Sequence, residues 1–191
     1  TIVNEDGVLT GYNTDYTAVR DLVARRDIDP ATPFLLRGSG GMAKAVAAAL
    51  RDLGFRDGTV IARNAEAGPA LAAQYGFRWL PELPEQEAAM LVNVTPIGME
   101  GAQAGELAFT PAQIAACEIA FDVVAQPAET PFIKAALAAD KTIISGAEVI
   151  VLQAVEQFFL YTGIRPDDEA IAKATAFAHG PAVAQRLRDA A

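Results

Sequence analysis

Gly38-Ser39-Gly40-Gly41-Met42-Ala43 has the spacing G-x-G-x-x-A. Between a strand and a helix, this spacing binds a dinucleotide. The first glycine, Gly38, permits a tight turn. The second, Gly40, lets a pyrophosphate approach the backbone with no Cβ in the way. Ala43 is small enough for the helix to lie close to the strand. The N-terminus of that helix, with Ser39, Gly40, Gly41 and Met42 before and within its first turn, then offers free N–H groups to the phosphates. Roughly 20 residues on, an Asp or Glu would accept the ribose 2′-hydroxyl of NAD. Here the second strand runs into Ala62-Arg63-Asn64. An arginine cannot accept from a hydroxyl but can pair with the 2′-phosphate of NADP, so the residues favour NADP over NAD. The plainer reading is a ligand-free glycine turn with Arg63 as an ordinary solvated arginine.

Other positions are less specific. In Asn13-Thr14-Asp15, Thr14 or Asp15 can cap a helix and Asn13 can hold the turn. Asn93-Val94-Thr95-Pro96-Ile97-Gly98-Met99 ends a strand, and the carboxyl ends of strands line the ligand crevice in open α/β sheets. Turn chemistry alone also accounts for Pro96 and Gly98. Gln153 lies within a helix, where a glutamine is usually solvated. Cys117 reads as a small buried hydrophobe, and His179 has no acids or cysteines near it.

The elements that must position these residues follow from apolar patterning. Thr1–Asn4 and Val8–Tyr12 flank Glu5-Asp6-Gly7, a hairpin signal, and Tyr16–Arg26 reads as a helix. Strands are expected at Pro33–Arg37, Thr59–Ala62, Phe77–Leu80, Ala89–Val94, Ile119–Val124 and Thr142–Ser145. Helices alternate with them at Met42–Leu53, Ala65–Tyr75, Pro111–Cys117 and from Thr130-Pro131 onward. A long helix at Glu148–Thr162 ends at Gly163, and a last helix runs from Pro166 to about Ala178. Short apolar strands alternating with helices specify a Rossmann-like, doubly wound α/β fold: a mostly parallel sheet with helices on both faces.

Composition narrows the class further. The 191 residues suit one domain, with 52% hydrophobic and 20% charged side chains. A formal charge of −9 argues against nucleic acid or an anionic membrane as the main partner. One cysteine and one histidine leave no internal disulfide and no Cys/His metal site. No apolar run is long enough for a membrane span, and no signal peptide is visible, so the expected location is cytoplasmic. The chain starts at Thr1, without methionine and within a strand-like run, as a piece of a longer protein would.

Taken together, the motifs resemble the shikimate dehydrogenase family. Gly11-Tyr12-Asn13-Thr14-Asp15, the glycine turn continued by Lys44-Ala45, and Val92 through Met99 carry the resemblance. So do Phe121-Asp122-Val123-Val124, Glu129-Thr130-Pro131, and Gly146 followed seven residues later by Gln153. The match runs over about residues 1–163. It implies reversible hydride transfer between NADPH and 3-dehydroshikimate, a step of aromatic amino-acid biosynthesis. It further implies that residues 1–13 are the tail of a substrate domain, 14–163 the NADP-binding domain, and 164–191 a helical extension.

By position, the resemblance makes Asp15 the catalytic carboxylate, partnered by a lysine from the substrate domain. Asn13 and Gln153 would bind substrate. Gly38 would make the cofactor turn, Ser39, Gly40, Gly41 and Met42 would line the pyrophosphate, and Arg63 and Asn64 would hold the 2′-phosphate. Thr95, Pro96 and Gly146 would lie near the ribose or nicotinamide. The small-molecule partner would be shikimate or a related cyclic hydroxy acid, and a homodimer is a candidate assembly.

Several positions depart from the family pattern. Ser39 and Met42 stand where the family usually has alanine, Asn64 where it has threonine, Ala125-Gln126-Pro127 where it has Tyr-Asn-Pro, and Val149 where it has methionine. These departures resemble the divergent shikimate dehydrogenase-like branch. An NAD-preferring quinate/shikimate enzyme and a non-catalytic nucleotide sensor are the alternatives.

Overall fold

Most strands of the main sheet are short apolar runs whose side chains alternate between two buried faces. The computed structural model describes residues 1–189. The strands are β3 (Phe34–Arg37), β4 (Gly58–Ile61), β5 (Arg78–Leu80), β6 (Met90–Asn93), β7 (Ile119–Asp122) and β8 (Thr142–Ser145). They follow a hairpin of β1 (Ile2–Glu5) and β2 (Val8–Gly11), which turns at Asp6 and Gly7 with φ of 51° and 88°. Positive φ at both central residues matches the twist of paired strands, as Asp-Gly hairpins require. The main sheet has the order β5-β4-β3-β6-β7-β8 and is parallel throughout.

The helices are α1 (Thr14–Arg25), α2 (Gly41–Asp52), α3 (Ala67–Tyr75), α4 (Pro111–Ala116), α5 (Pro131–Ala138), α6 (Gly146–Thr162), α7 (Asp168–His179) and α8 (Pro181–Asp189). Phe34, Leu36, Val60, Met90, Val92, Phe121 and Ile144 face one core, shared with α1, α2, α3 and α6. Leu35, Ile61, Leu91, Ala120 and Ile143 face the other, shared with α4 and α5. The period of two thus buries both faces, which is the doubly wound arrangement. Among the described residues, no helix is long and apolar enough to cross a membrane.

Two expectations need correction. α1 is capped by Asn13, whose side chain accepts from the Tyr16 N–H, and not by Thr14 or Asp15, which lie inside its first turn. The region after Gly163 holds two helices rather than one. Gly180 stops α7, and Pro181 opens α8.

That second helix is tied to the sheet domain. Leu187 joins the first core, and Val183 and Ala184 are buried. Below them Glu148 is fully buried, its Oε2 accepting from Ser145 N at 2.8 Å and Ser145 Oγ at 2.7 Å. Its Oε1 accepts from Arg26 of the α1 C-terminus, and Arg186 Nε of α8 lies 3.8 Å from Oε2. One carboxylate therefore joins three helices and completes the α6 capping box. Glu148→Ala would leave two largely buried guanidiniums without their anion. It is expected to cost about 3–5 kcal/mol, read as a lowered midpoint in urea. An unchanged midpoint would show that this carboxylate does not hold α1, α6 and α8 together.

Candidate functional site

The strand order reverses between β3, with β4 on one side, and β6 on the other. Chains diverge there at the carboxyl edge of the sheet and leave a crevice. A cleft of about 880 Å³ occupies it, lined by Gly38, Ser39 and Gly40 at one wall and by Arg63 and Asn64 after β4. Thr95 and Pro96 after β6 form the opposite wall.

Gly38 has a φ of 128°, and a Cβ there would lie 2.9 Å from the Val94 carbonyl oxygen. Only glycine fits that turn. A Cβ at Gly40 or Gly41 would meet nothing within 4 Å, so the room in front of the turn is open. Ala43 is fully buried under α2, as the close helix–strand approach requires. The N-terminus of α2 has no side-chain cap, because Gly40 offers none. Asn13, Thr110, Thr130, Ser145 and Asp167 each cap another helix. The orphan N–H donors of α2 are therefore left for a ligand. Asn64 uses its Oδ1 on the N–H groups of Glu66 and Ala67 at 3.0 and 2.8 Å, which orders the turn beside Arg63.

The wall at Thr95 is held by a buried polar chain. Asn93 Nδ2 donates to Asp122 Oδ1 at 2.9 Å and to the Ile97 carbonyl at 3.1 Å. Asn93 Oδ1 accepts from Thr95 N at 3.1 Å and from Thr95 Oγ1 at 2.6 Å. Asp122 also accepts from Val124 N at 3.1 Å and from Thr130 Oγ1 at 2.6 Å, and Thr130 caps α5. The Thr95 hydroxyl thus points into this chain, which locks the loop at the cleft edge.

Asn13, Asp15 and Gln153 come together in a separate depression of about 510 Å³, with the hairpin and Gln157 at its rim. Among the described residues, neither the Asp15 carboxylate nor the Gln153 amide makes a hydrogen bond, whereas Asn13 Oδ1 is committed to capping α1.

Gly41, Met42 and Gly146 do not line the cleft. Met42 packs against the first core. Gly146 is buried where a Cβ would lie 2.3 Å from the Val123 carbonyl oxygen, so its smallness serves packing. Val149 is likewise buried. Arg37, at the end of β3, lines the cleft and was not singled out from the sequence. The available signal was a cation closing the apolar run Phe34-Leu35-Leu36 at the crevice edge of a strand. Asn93, Asp122 and Thr130 stood in the motifs without roles.

Burial pushes the Asp122 carboxyl up to about 6, against the pull of Thr130, Val124 and Asn93, from an ordinary 3.8. The folded protein therefore holds this proton more tightly than the unfolded chain. The stability it contributes is full below about pH 4 and is lost as pH rises through about 6, by about 3 kcal/mol in all. Asp122→Asn removes this titration. Unfolding free energies measured from pH 4 to 6.5 should fall more steeply for the wild type than for the variant; parallel curves would refute the assignment.

No family model matches the chain. It is 52% identical over 179 residues to a shikimate dehydrogenase-like protein of Haemophilus influenzae, covering 93% of this chain and 66% of that protein. It is 33% identical over 181 residues to shikimate dehydrogenase (NADP(+)) of Thermus thermophilus, covering 94% and 67%. The solved structure of a shikimate 5-dehydrogenase-like protein superposes with a TM-score of 0.88 at 52% identity, covering 93% of this chain and 66% of that one. The Thermus thermophilus shikimate 5-dehydrogenase, solved in complex with NADP(H) and shikimate, gives 0.75 at 28% identity, covering 100% and 67%. The chain spans no more than about two thirds of these relatives' length. With this identity, the parallel sheet and the glycine turn at its switch point, the chain belongs to the shikimate dehydrogenase family.

Proposed function

We propose that the chain is the cofactor-binding part of an NADP-dependent oxidoreductase acting on shikimate or a related cyclic hydroxy acid. The observation that carries this reading is the uncapped N-terminus of α2, opening on a cleft that also holds Arg63. Backbone N–H groups suit a pyrophosphate, and a guanidinium suits a terminal phosphate. The residues present therefore fit NADP. The Thermus relative's name and its neighbour's bound NADP(H) support the same choice.

Bound NADP would supply the hydride acceptor or donor. The chain's own residues then have three tasks. The α2 N-terminus and Arg63 bind and orient the dinucleotide. The depression at Asn13, Asp15 and Gln153 presents polar groups to a hydroxylated ring. Asp15 carries the proton work. Oxidising a secondary alcohol removes its O–H proton as its C–H hydrogen leaves as hydride, so a base must stand at the oxygen. We assign that role to Asp15 together with a lysine supplied from outside these residues, as the family resemblance implies. The carboxylate orients the lysine and stabilises its charged form.

Direct titration tests the cofactor assignment. The chain should bind NADP⁺ more tightly than NAD⁺, and Arg63→Ala should weaken NADP⁺ by about tenfold or more, the loss of a charge-assisted bond. Tighter binding of NAD⁺ would overturn the reading. The 191-residue chain should show no shikimate oxidation by itself. In the longer protein, Asp15→Asn should lower kcat by about 100-fold or more with NADP⁺ affinity unchanged; wild-type kcat in that variant would remove Asp15 from the proton path.

A further inference from the structure

Arg37 stands at the carboxyl end of β3, between Ile61 of β4 and Asn93 of β6 in register. By strand alternation it lies on the side of Leu35, the face of the second core, at the floor of the cleft. A cation at this position is unusual on physical grounds. The three residues before it are fully buried, and burial pushes its guanidinium below the ordinary arginine pKa. The charge of Arg63, which lines the same cleft, pushes it further the same way. Among the described residues, neither arginine is in an ion pair. Glu106, the carboxylate that partly offsets Arg37, accepts instead from Gln103.

Arg37 is also held in place. Its Nη1 donates to the Ala108 carbonyl, which leaves Nε and Nη2 without partners among the described residues. A guanidinium anchored at one corner has little rotamer freedom left to lose, and its remaining donors form a fork. Glu82 and Glu106 line the same cleft but pair with neither arginine, so a doubly negative group between the two guanidiniums would give their open donors a partner. A phosphate monoester carries close to two negative charges near neutral pH.

We propose that Arg37 is a specificity-determining residue: with Arg63 it clamps the adenosine 2′-phosphate, so that the cleft takes 2′-phosphorylated dinucleotides and discriminates against unphosphorylated ones. The proposal rests on the NADP reading above and deepens it. In that reading Arg63 alone held the phosphate; here a second arginine, rising from the strand floor, shares it. An unphosphorylated dinucleotide gives neither guanidinium this partner, so NAD⁺ lacks the contribution that NADP⁺ gains.

The test is calorimetric titration of the 191-residue chain with NADP⁺, NAD⁺, adenosine 2′,5′-bisphosphate and adenosine 5′-monophosphate. Arg37→Met should weaken NADP⁺ and the bisphosphate by about tenfold or more, as for one charge-assisted contact. NAD⁺ and the monophosphate should be held as tightly as before or more tightly. Arg37→Lys keeps the charge and loses the fork, and should fall between wild type and Arg37→Met in its NADP⁺/NAD⁺ ratio. It also carries the test if the methionine variant fails to fold.

Equal losses for phosphorylated and unphosphorylated ligands would overturn the proposal, because Arg37 would then serve the adenine or the Ala108 loop. So would an unchanged NADP⁺/NAD⁺ ratio in both variants while Arg63→Ala still loses NADP⁺; in that case the NADP reading survives and Arg37 drops out. If the wild type binds NAD⁺ as tightly as NADP⁺, the NADP reading itself fails, and the clamp with it.

Discussion

The buried hydrogen bond between Asn93 and Asp122 links the carboxyl ends of two neighbouring strands. Both side chains are out of solvent, so each of their polar atoms needs a partner, and an unmet one costs about 1–3 kcal/mol. The partners they take determine the local structure. Asn93 takes the Thr95 hydroxyl and the Ile97 carbonyl, which bends the loop after β6 into the cleft wall. Asp122 takes Thr130, which starts α5 under the second core. Satisfying one buried amide–carboxylate pair thus sets the edge of the cleft and the start of a core helix. A partly satisfied network would be worse than an apolar one, which is why these side chains act as a unit.

On the NADP reading proposed above, an acidic protein must hold an anion. The chain carries a formal charge of −9, and no long-range field draws a dinucleotide to it. On that reading, attraction comes from donors within a few ångströms: amides left uncapped at α2, Arg37 at the end of β3 and Arg63 in the turn after β4. Local donors of this kind favour one geometry, whereas a diffuse positive surface would accept many anions.

Much of this was legible in the sequence. Short apolar runs located all six strands to within a residue or two, because parallel strands covered on both faces read as continuous apolar stretches. Thr142–Ser145 agrees at both ends. The glycine turn was legible because Gly38 meets a steric demand that a Cβ would break and Ala43 is small enough to be fully buried. What escaped detection depended on partners distant in the chain. Asn13 and Thr14 are both competent caps, and Asn13 takes the role while the Thr14 hydroxyl pairs with Thr1 at the far end of the hairpin. Arg37 looks like the end of a strand until β4 and β6 enclose it. The Gly180-Pro181 break is a local signal for a second helix, but the value of α8 to the fold lies in Glu148, far upstream.

Glu148 also bears on the order in which the molecule can be made. Its carboxylate is completed by Arg26, more than a hundred residues earlier, and by Arg186, nearly forty later. During synthesis the sheet strands emerge in sequence, and β3 through β8 can pair as they appear. The space over the first core beside α1 and α6 stays open until residues 183–187 are released and Leu187 can fill it. The nascent domain therefore keeps one flank of its sheet uncovered until α8 emerges from the ribosome and closes it.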